Sequence, residues 1–349
     1  SLGIPFLLPA PGSLLAQVGA GAQGVAVGWE IYSRTDDALA LGLTGLVQAL
    51  PMMLFTLPAG YLADAFSRRT LMIVSTVGSA LTSAGLAAAS WHHAPVAVLY
   101  LLLLLNSTVN ALARPARAAI LPLLVPRSAF ENAVSWRISL QQVSAVAGPA
   151  VGGFLAAAGA PLVYVVAAAT SLLFVLFLAT LQARQEERTS QAPSLQALVS
   201  GARFAWQQRL LFTTMSLDLF AVLLGGAVYL LPIYARDILA VGEQGLGWLR
   251  AAPALGSFSM AILLAHLPPM RRAGRNLLLA VAGFGVATIV FGLSRSFWLS
   301  MAMLFLTGLF DNVSMVVRST LQQLLTPDDM RGRVSAMTSI FIGSSNELG

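Results

Sequence analysis

Several ionisable side chains lie inside long apolar stretches of this 349-residue sequence, where a charge is costly, and seven of them are candidates for a role at membrane depth. The carboxylates are Glu30, Asp218, Asp311 and Glu347, and the arginines are Arg137, Arg250 and Arg318. Inserting one such charged side chain at the centre of a membrane costs about 2.5–3.5 kcal/mol on insertion scales. Each is therefore expected to have a charged partner, to line a water-filled cavity or to serve a function. A carboxyl group in a poorly solvated cavity can exchange a proton near neutral pH. The residue types therefore predict buried ion pairs, proton exchange, or both.

The positions of these groups along their apolar stretches suggest pairings. Asp218 and Arg318 are expected at similar depth, which makes an ion pair between them plausible, and Arg137 reaches a similar depth. Glu30 could match Arg250, although Glu30 lies near the end of its stretch and could equally snorkel to the interface. Asp311 and Glu347 lie nearest the middle, where snorkelling explains least.

The stretches that carry these charges are predicted to be transmembrane helices. The chain is 57% hydrophobic and 10% charged, with a mean hydropathy of +0.78, whereas soluble domains are about a quarter charged. Runs of about 20 apolar residues recur along the whole chain, long enough to cross the hydrocarbon core as helices. The runs are continuous rather than alternating, which excludes a β-barrel. An all-α, polytopic membrane protein is therefore expected.

Composition also excludes several kinds of site. With no cysteine, the chain has neither disulfides nor thiolate metal sites, and its three scattered histidines do not suggest a metal centre. No cofactor is expected. The net charge of +6 comes from arginine alone, because the sequence contains no lysine, and membrane topology accounts for it better than nucleic-acid binding does. The opening residues SLGIPFLLPAPGS carry no basic leader, so no signal peptide is expected.

Eleven apolar segments divide the chain into two groups. They are 12–33, 40–63, 70–90, 95–121, 130–157, 161–182, 210–234, 243–266, 276–294, 297–324 and 332–349. The longest polar connection, 183–208, separates six segments from five. The sequence thus predicts a six-helix bundle over 1–182, a linker over 183–208 and a second bundle over 209–349 that stops within helix eleven.

Arginines at the segment ends set a predicted orientation. Fourteen lie at or near one set of ends and three at the opposite set, which is a strong positive-inside bias. The fourteen are Arg68, Arg69, Arg114, Arg117, Arg127, Arg184, Arg188, Arg203, Arg209, Arg271, Arg272, Arg275, Arg331 and Arg333, against Arg34, Arg236 and Arg295. The first set, the N-terminus and the linker are therefore expected in the cytoplasm.

The two halves of the chain carry an internal repeat. Residues 31–34, IYSR, recur as IYAR at 233–236, and Asn110 and Arg117 match Asp311 and Arg318 at an offset of 201. Leu-Leu-Val-Pro at 123–126 matches Leu-Leu-Thr-Pro at 324–327 at the same offset. Several matches at nearly constant offset predict parallel repeats related by an axis along the membrane normal. The repeat also predicts roughly 35 further residues that complete helix eleven and supply a twelfth.

The charged hinge GYLADAFSRRT at 60–70 resembles a known signature. Gly60, Asp64, Arg68 and Arg69 match the loop between helices two and three of the major facilitator superfamily, while Ala65 and Ser67 depart from it. The resemblance implies a charge latch at the cytoplasmic mouth that favours the outward-facing state. The alternative is that Arg68 and Arg69 only determine topology.

A second pattern, SAVAGPAVGG at 144–153, resembles the antiporter motif of drug/proton exporters in the same superfamily. Gly148 and Gly152 offer a flat face for close helix packing, Gly153 adjoins it, and Pro149 permits a bend. The resemblance implies export, through a dry interface that blocks proton leak. Simple packing is the alternative.

Longer stretches at 110–126, 217–239 and 311–337 resemble the branch that contains enterobactin exporters and macrolide-efflux proteins. The resemblance implies a fold of two six-helix bundles in which helices one, four, seven and ten line a central cavity. Glu30, Asp218, Asp311 and Arg318 would then line it, with Asp311 the first candidate for proton coupling. A buried structural ion pair remains the alternative for Asp311.

The resulting hypothesis is a monomeric, proton-coupled exporter of amphipathic small molecules in a bacterial inner membrane, working by alternating access. Its expected partners are a small-molecule substrate, protons and the lipid bilayer, with no nucleic acid. A lipid or lysolipid flippase on the same fold is one alternative, and a receptor or assembly subunit that transports nothing is another. An enzyme is not expected, and without a G-x-x-x-x-G-K-[ST] loop neither is ATP as the energy source.

Overall fold

The computed structural model describes residues 9–119, 130–180, 203–204, 206–225, 228–267, 272–327, 330, 334 and 338. Within these ranges all regular structure is helical. The long helices are α1 Pro9–Thr35, α2 Ala38–Ala65, α3 Arg68–Trp91, α4 Val96–Ala119, α5 Phe130–Ala156, α6 Ala160–Thr180, α7 Arg209–Gly225, α8 Gly242–His266, α9 Ala273–Leu293 and α10 Phe297–Leu325. Each of the first ten predicted apolar segments overlaps one of these helices. The eleventh, 332–349, lies outside the described residues except at 334 and 338.

The seventh segment differs from the prediction of one continuous helix over 210–234. α7 is described as far as Gly225, and from Val228 the chain forms a 3-10 turn (Val228–Leu230), one α-helical turn (Leu231–Ile233) and a π-helical turn (Tyr234–Ile238). The sequence Gly225-Gly226 has low helix propensity, and Pro232 has no N–H to donate to the preceding turn. The single-helix prediction for this segment was therefore wrong.

Short capped connections place the helices side by side. The side chain of Asp37 accepts a hydrogen bond from the Leu39 N–H at 2.9 Å and so begins α2. Only residues 66–67 separate α2 from α3, where Ser67 Oγ accepts from the Thr70 N–H at 3.1 Å. The charged hinge identified in the sequence is therefore a single tight turn between two long helices.

Seven of the described helices, α2, α3, α4, α6, α8, α9 and α10, are long and apolar enough to span a membrane. Large apolar side chains also point outward from the helices, among them Leu81 on α3, Leu176 on α6 and Ile289 on α9, each more than 60% exposed. Exposed apolar surface of this kind is expected where the solvent is lipid.

The chain forms two compact units. The first comprises Ser1–Ala192 together with Gly242–Gly247, the first residues of α8. In it, α1 packs against α5 and α6, α3 against α4 and α6, and α2 against α4. Its core includes Ile31, Leu86, Leu99 and Tyr164, all buried. Most of the predicted linker 183–208 lies outside the described residues.

The second unit comprises Pro193–Val241 and Trp248–Gly349. In it, α9 packs along α10, and α7 contacts both. α8 lies against α10, where Ser257 Oγ donates a hydrogen bond to the Gly308 carbonyl at 2.9 Å. The pairs α9–α10 and α8–α10 correspond through the sequence repeat to α3–α4 and α2–α4 in the first unit.

Candidate functional site

The first candidate site lies at the middle of α10, in the second unit. Arg318 Nη2 approaches Asp311 Oδ1 to 4.0 Å, and Arg318 Nε donates to the Ser314 carbonyl at 3.3 Å. The Asp311 side chain is 45% exposed, whereas that of Arg318 is 12% exposed. The two residues are seven positions apart on one helix, so they lie two turns apart on the same face. This arrangement holds a carboxylate beside a fixed positive charge while leaving it accessible.

The partner predicted for Arg318 was Asp218, but the Asp218 side chain lies outside the described part of the structure. The pairing of Asp218 with Arg318 therefore stays a prediction. Glu347 also lies outside the described residues. Arg137 is exposed on α5 and Arg250 is half-buried on α8.

The sequence equivalents of Asp311 and Arg318 also meet, on α4 of the first unit. Arg117 Nη2 donates to Asn110 Oδ1 at 2.9 Å and to Ser75 Oγ of α3 at 3.3 Å. The Asn110 amide group donates to Ser79 Oγ at 3.1 Å and to the Asn106 carbonyl at 2.9 Å. The second repeat thus pairs an arginine with an acid, and the first pairs an arginine with an amide.

These contacts belong to a longer polar seam between α3 and α4, formed by Ser75, Ser79 and Thr82 facing Arg117, Asn110 and Asn106. Asn106 Nδ2 donates to Thr82 Oγ1 at 2.7 Å, which extends the hydrogen bonds further along the seam. Asn106, Ser79 and Thr82 were not predicted from the sequence. The sequence pattern that could have revealed them is the spacing of polar residues three or four positions apart in two consecutive apolar helices. That spacing places the polar residues on one face of each helix.

Glu30 occupies a different cluster in the first unit and is itself buried. Its carboxylate accepts hydrogen bonds from Ser90 Oγ of α3 at 2.5 Å and from the Tyr164 hydroxyl of α6 at 2.6 Å, and it pairs with Arg34 at 2.5 Å. Glu30 is 5% exposed and Tyr164 is completely buried. Arg34 also donates to the Ala94 carbonyl at 2.8 Å. Both carboxylate oxygens are thus satisfied by neighbours that join α1, α3 and α6.

Arg69 of the hinge motif reaches the end of another helix. Arg69 donates from Nε to the Leu178 carbonyl at 3.1 Å and from Nη2 to the Ala179 carbonyl at 2.5 Å. Those carbonyls end α6, where helix geometry leaves acceptors unsatisfied and the helix dipole favours a cation. Arg69 therefore caps α6. Gly60 is part of α2. The Asp64 side chain lies outside the described part of the structure.

The glycines of the antiporter-like motif lie at close helix contacts. A Cβ on Gly152 would come within 2.6 Å of Ala22 Cα, and one on Gly148 within 3.0 Å of Gly21 Cα. α5 and α1 thus approach backbone to backbone. Gly153, on the same helix, lies against Gly247 of the first turns of α8, within the same compact unit. Pro149 continues α5 without ending it.

No group of three or more His, Asp or Glu side chains that could hold a metal ion occurs within the described residues. The chemistry available at the sites above is that of charge pairing, hydrogen bonding and protonation.

The sequence was compared with protein families and with known proteins. The family model described as Major Facilitator Superfamily matches residues 10–349. The chain is 27% identical over 357 residues to the multidrug efflux pump Tap of Mycobacterium tuberculosis (strain H37Rv), covering 97% of this chain and 83% of Tap. It is also 27% identical over 322 residues to the enterobactin exporter EntS of Escherichia coli O9:H4, covering 92% of this chain and 77% of EntS.

Solved structures show the same fold. A peptide transporter POT in complex with alafosfalin has a TM-score of 0.76 at 14% identity, covering 98% of this chain and 86% of that one. A bacterial homologue of the iron transporter ferroportin has a TM-score of 0.72 at 17% identity, covering 98% and 89%. At such identities the likeness concerns the fold alone.

The helices, their spans and these matches define a multi-pass helical transporter of a bacterial inner membrane rather than an enzyme. The chain belongs to the major facilitator superfamily. The family and fold predicted from the sequence are thus confirmed.

Proposed function

We propose that this transporter is a proton-coupled exporter of amphipathic small molecules of the drug or siderophore class. Two relatives that align along most of the chain are named as a multidrug efflux pump and an enterobactin exporter. The antiporter-like glycines of α5 support the same direction of transport. Alternating access of the two halves, with the N-terminus in the cytoplasm and a monomer as the working unit, completes the proposal.

The observation that carries proton coupling is the Asp311–Arg318 pair. Asp311 lies at the centre of a 29-residue helix, is accessible, and faces a guanidinium at 4.0 Å. An accessible carboxyl at that depth can bind a proton when the arginine is engaged elsewhere and release it when the arginine returns. Glu30 suits this role less, because its carboxylate is buried and satisfied by three side chains.

The test is export by an Asp311→Asn protein in proteoliposomes under an imposed pH gradient. The asparagine keeps the shape of the side chain but cannot titrate, so we expect export that no longer responds to the gradient. Asp237→Asn is the matched control, because Asp237 also pairs with an arginine, Arg236 at 3.9 Å, but lies in the π-helical turn that follows α7. The control should respond as the parent does.

A gradient response in Asp311→Asn equal to that of the parent would remove Asp311 from proton coupling. The same vesicles treated with an uncoupler test the wider proposal. Export by the parent that is insensitive to the uncoupler would contradict proton coupling and favour a flippase or another driving ion.

A further inference from the structure

We propose that the end of the predicted linker lies on the surface of the bilayer and anchors the start of α7 there. The sequence predicted residues 183–208 to be a polar connection in the cytoplasm. Its last part nevertheless carries a large exposed aromatic side chain, Trp206. The partner that this surface fits is the headgroup region of the lipid bilayer. Such an anchor operates whatever molecule the protein exports.

The residues before α7 continue its helical hydrogen bonding towards the linker. The Gln208 N–H donates to the Phe204 carbonyl at 3.0 Å, and the Phe212 N–H donates to the Gln208 carbonyl at 3.0 Å. α7 itself begins at Arg209, and the chain bends at Gln208. The turn that contains Trp206 is therefore a helical extension of α7, and its side chains are positioned by that helix.

Trp206 continues a stripe of exposed apolar side chains on α7. It is 71% exposed, and Leu210 and Phe220 are 61% and 58% exposed. Spacings of four and ten residues place these three side chains within about 80° of one another around a helix. Apolar side chains that are exposed on a helix of a membrane protein face lipid. The lipid-facing stripe of α7 thus extends into the linker, beyond the predicted start of the apolar segment at residue 210.

The surroundings of Trp206 indicate how deep it lies. Its ring contacts that of Phe212, with ring centroids 4.5 Å apart, so the indole is held against α7. Arg203, Gln207 and Arg209, which flank it in the sequence, are all exposed. Their polar groups are costly in the hydrocarbon core but reach headgroups and water readily. An exposed indole among polar and cationic residues is typical of the membrane–water interface, where tryptophan is enriched.

The test places a nitroxide label beside Trp206 in the full chain. The sequence contains no cysteine, so Gln207→Cys provides a single site for the label, at an exposed position. The labelled protein is reconstituted into vesicles of phosphatidylcholine and phosphatidylglycerol. Electron paramagnetic resonance then measures collisions of the label with oxygen, which concentrates in lipid, and with a nickel complex, which stays in water.

We expect the label in the parent to collide with oxygen and to be partly shielded from the nickel complex, as it is at headgroup depth. Trp206→Ala removes the anchor, so the label should lose this shielding and collide more often with nickel. Trp206→Tyr keeps an amphipathic ring and should behave as the parent does. Trp298→Ala is the matched control, because Trp298 is 75% exposed and contacts a neighbouring ring, that of Phe297, but lies at the start of α10.

Three results overturn the proposal. Free access of the nickel complex to the label in the parent would place the linker end in water. Shielding from both oxygen and nickel would show that protein covers it, either a second copy of the chain or the rest of the linker. No change in Trp206→Ala, or an equal change in Trp298→Ala, would remove Trp206 as the anchor. The measurement needs neither cargo nor a proton gradient, so its failure is distinct from a failure of proton-coupled export.

Discussion

Among single residues, Glu30 is the clearest case of a membrane charge held for stability. Its carboxylate is surrounded by Arg34, Ser90 and Tyr164, which belong to three helices of the first unit. A buried ion pair of this kind adds little stability compared with apolar residues in the same place. Removing one partner is nevertheless costly, because the other charge stays buried without compensation.

We therefore expect Glu30→Ala to destabilise the protein by about 3–5 kcal/mol, because Arg34 would remain partly buried without its carboxylate. Tyr164→Phe should cost about 1.5–3 kcal/mol, since it removes one hydrogen bond to a charged acceptor. Thermal unfolding of the purified protein in detergent measures both. Ser33→Ala, at an exposed position on the same helix, is the control and should change stability by less than about 0.5 kcal/mol. Equal stability of Glu30→Ala and Ser33→Ala would show that the cluster contributes nothing.

The sequence could predict that Glu30 needs a partner, but not which one. Tyr164 is 134 residues away, and its position in α6 does not indicate which helix faces its hydroxyl group. Arg34 lies one turn away in the sequence, yet the partner suggested by depth was Arg250, with snorkelling to the interface as the alternative. Local spacing identifies charges that need explanation, while the partners depend on which helices pack together.

For whole helices, close contacts depend on small residues. Gly148 and Gly152 of α5 were predicted to form a flat packing face, and they lie against Gly21 and Ala22 of α1. The opposing helix could not be predicted, because many segments of this chain are rich in glycine and alanine. The 3-10 and π-helical turns from Val228 onward follow Gly225-Gly226 and surround Pro232 in the sequence, but the apolar pattern continues through this region and conceals the change.

Gly152→Ala should destabilise the protein by about 1–3 kcal/mol, because its Cβ would meet the backbone of Ala22 at 2.6 Å and the two helices would have to separate. Gly285→Ala on α9 is the matched control. A Cβ there meets nothing within 4 Å, and alanine favours the helix by about 0.5–1 kcal/mol. Thermal unfolding in detergent compares the two. If Gly152→Ala unfolds at the same temperature as Gly285→Ala, the close α1–α5 contact is not required for stability.

Across the whole molecule, the repeat is what the sequence predicted most usefully. The sequence matched Asn110 with Asp311 and Arg117 with Arg318, and in the structure each arginine contacts the polar residue seven positions before it. The contacts themselves were not predicted, because the sequence suggested Asp218 as the partner of Arg318. Composition and hydropathy were sufficient for the membrane class and the helices. The polar seam between α3 and α4 escaped prediction because its residues are neutral and individually unremarkable in an apolar helix.

The measurement that tests the central claim most directly is proton flux during transport by the parent chain. Proteoliposomes are loaded with a dye that reports the pH of their interior. A probe that the protein exports is then added, and no pH gradient is imposed. Proton-coupled export predicts proton movement opposite to the probe, absent from empty liposomes and lost in Asp311→Asn. Probe transport by the parent without any accompanying proton movement would contradict the account.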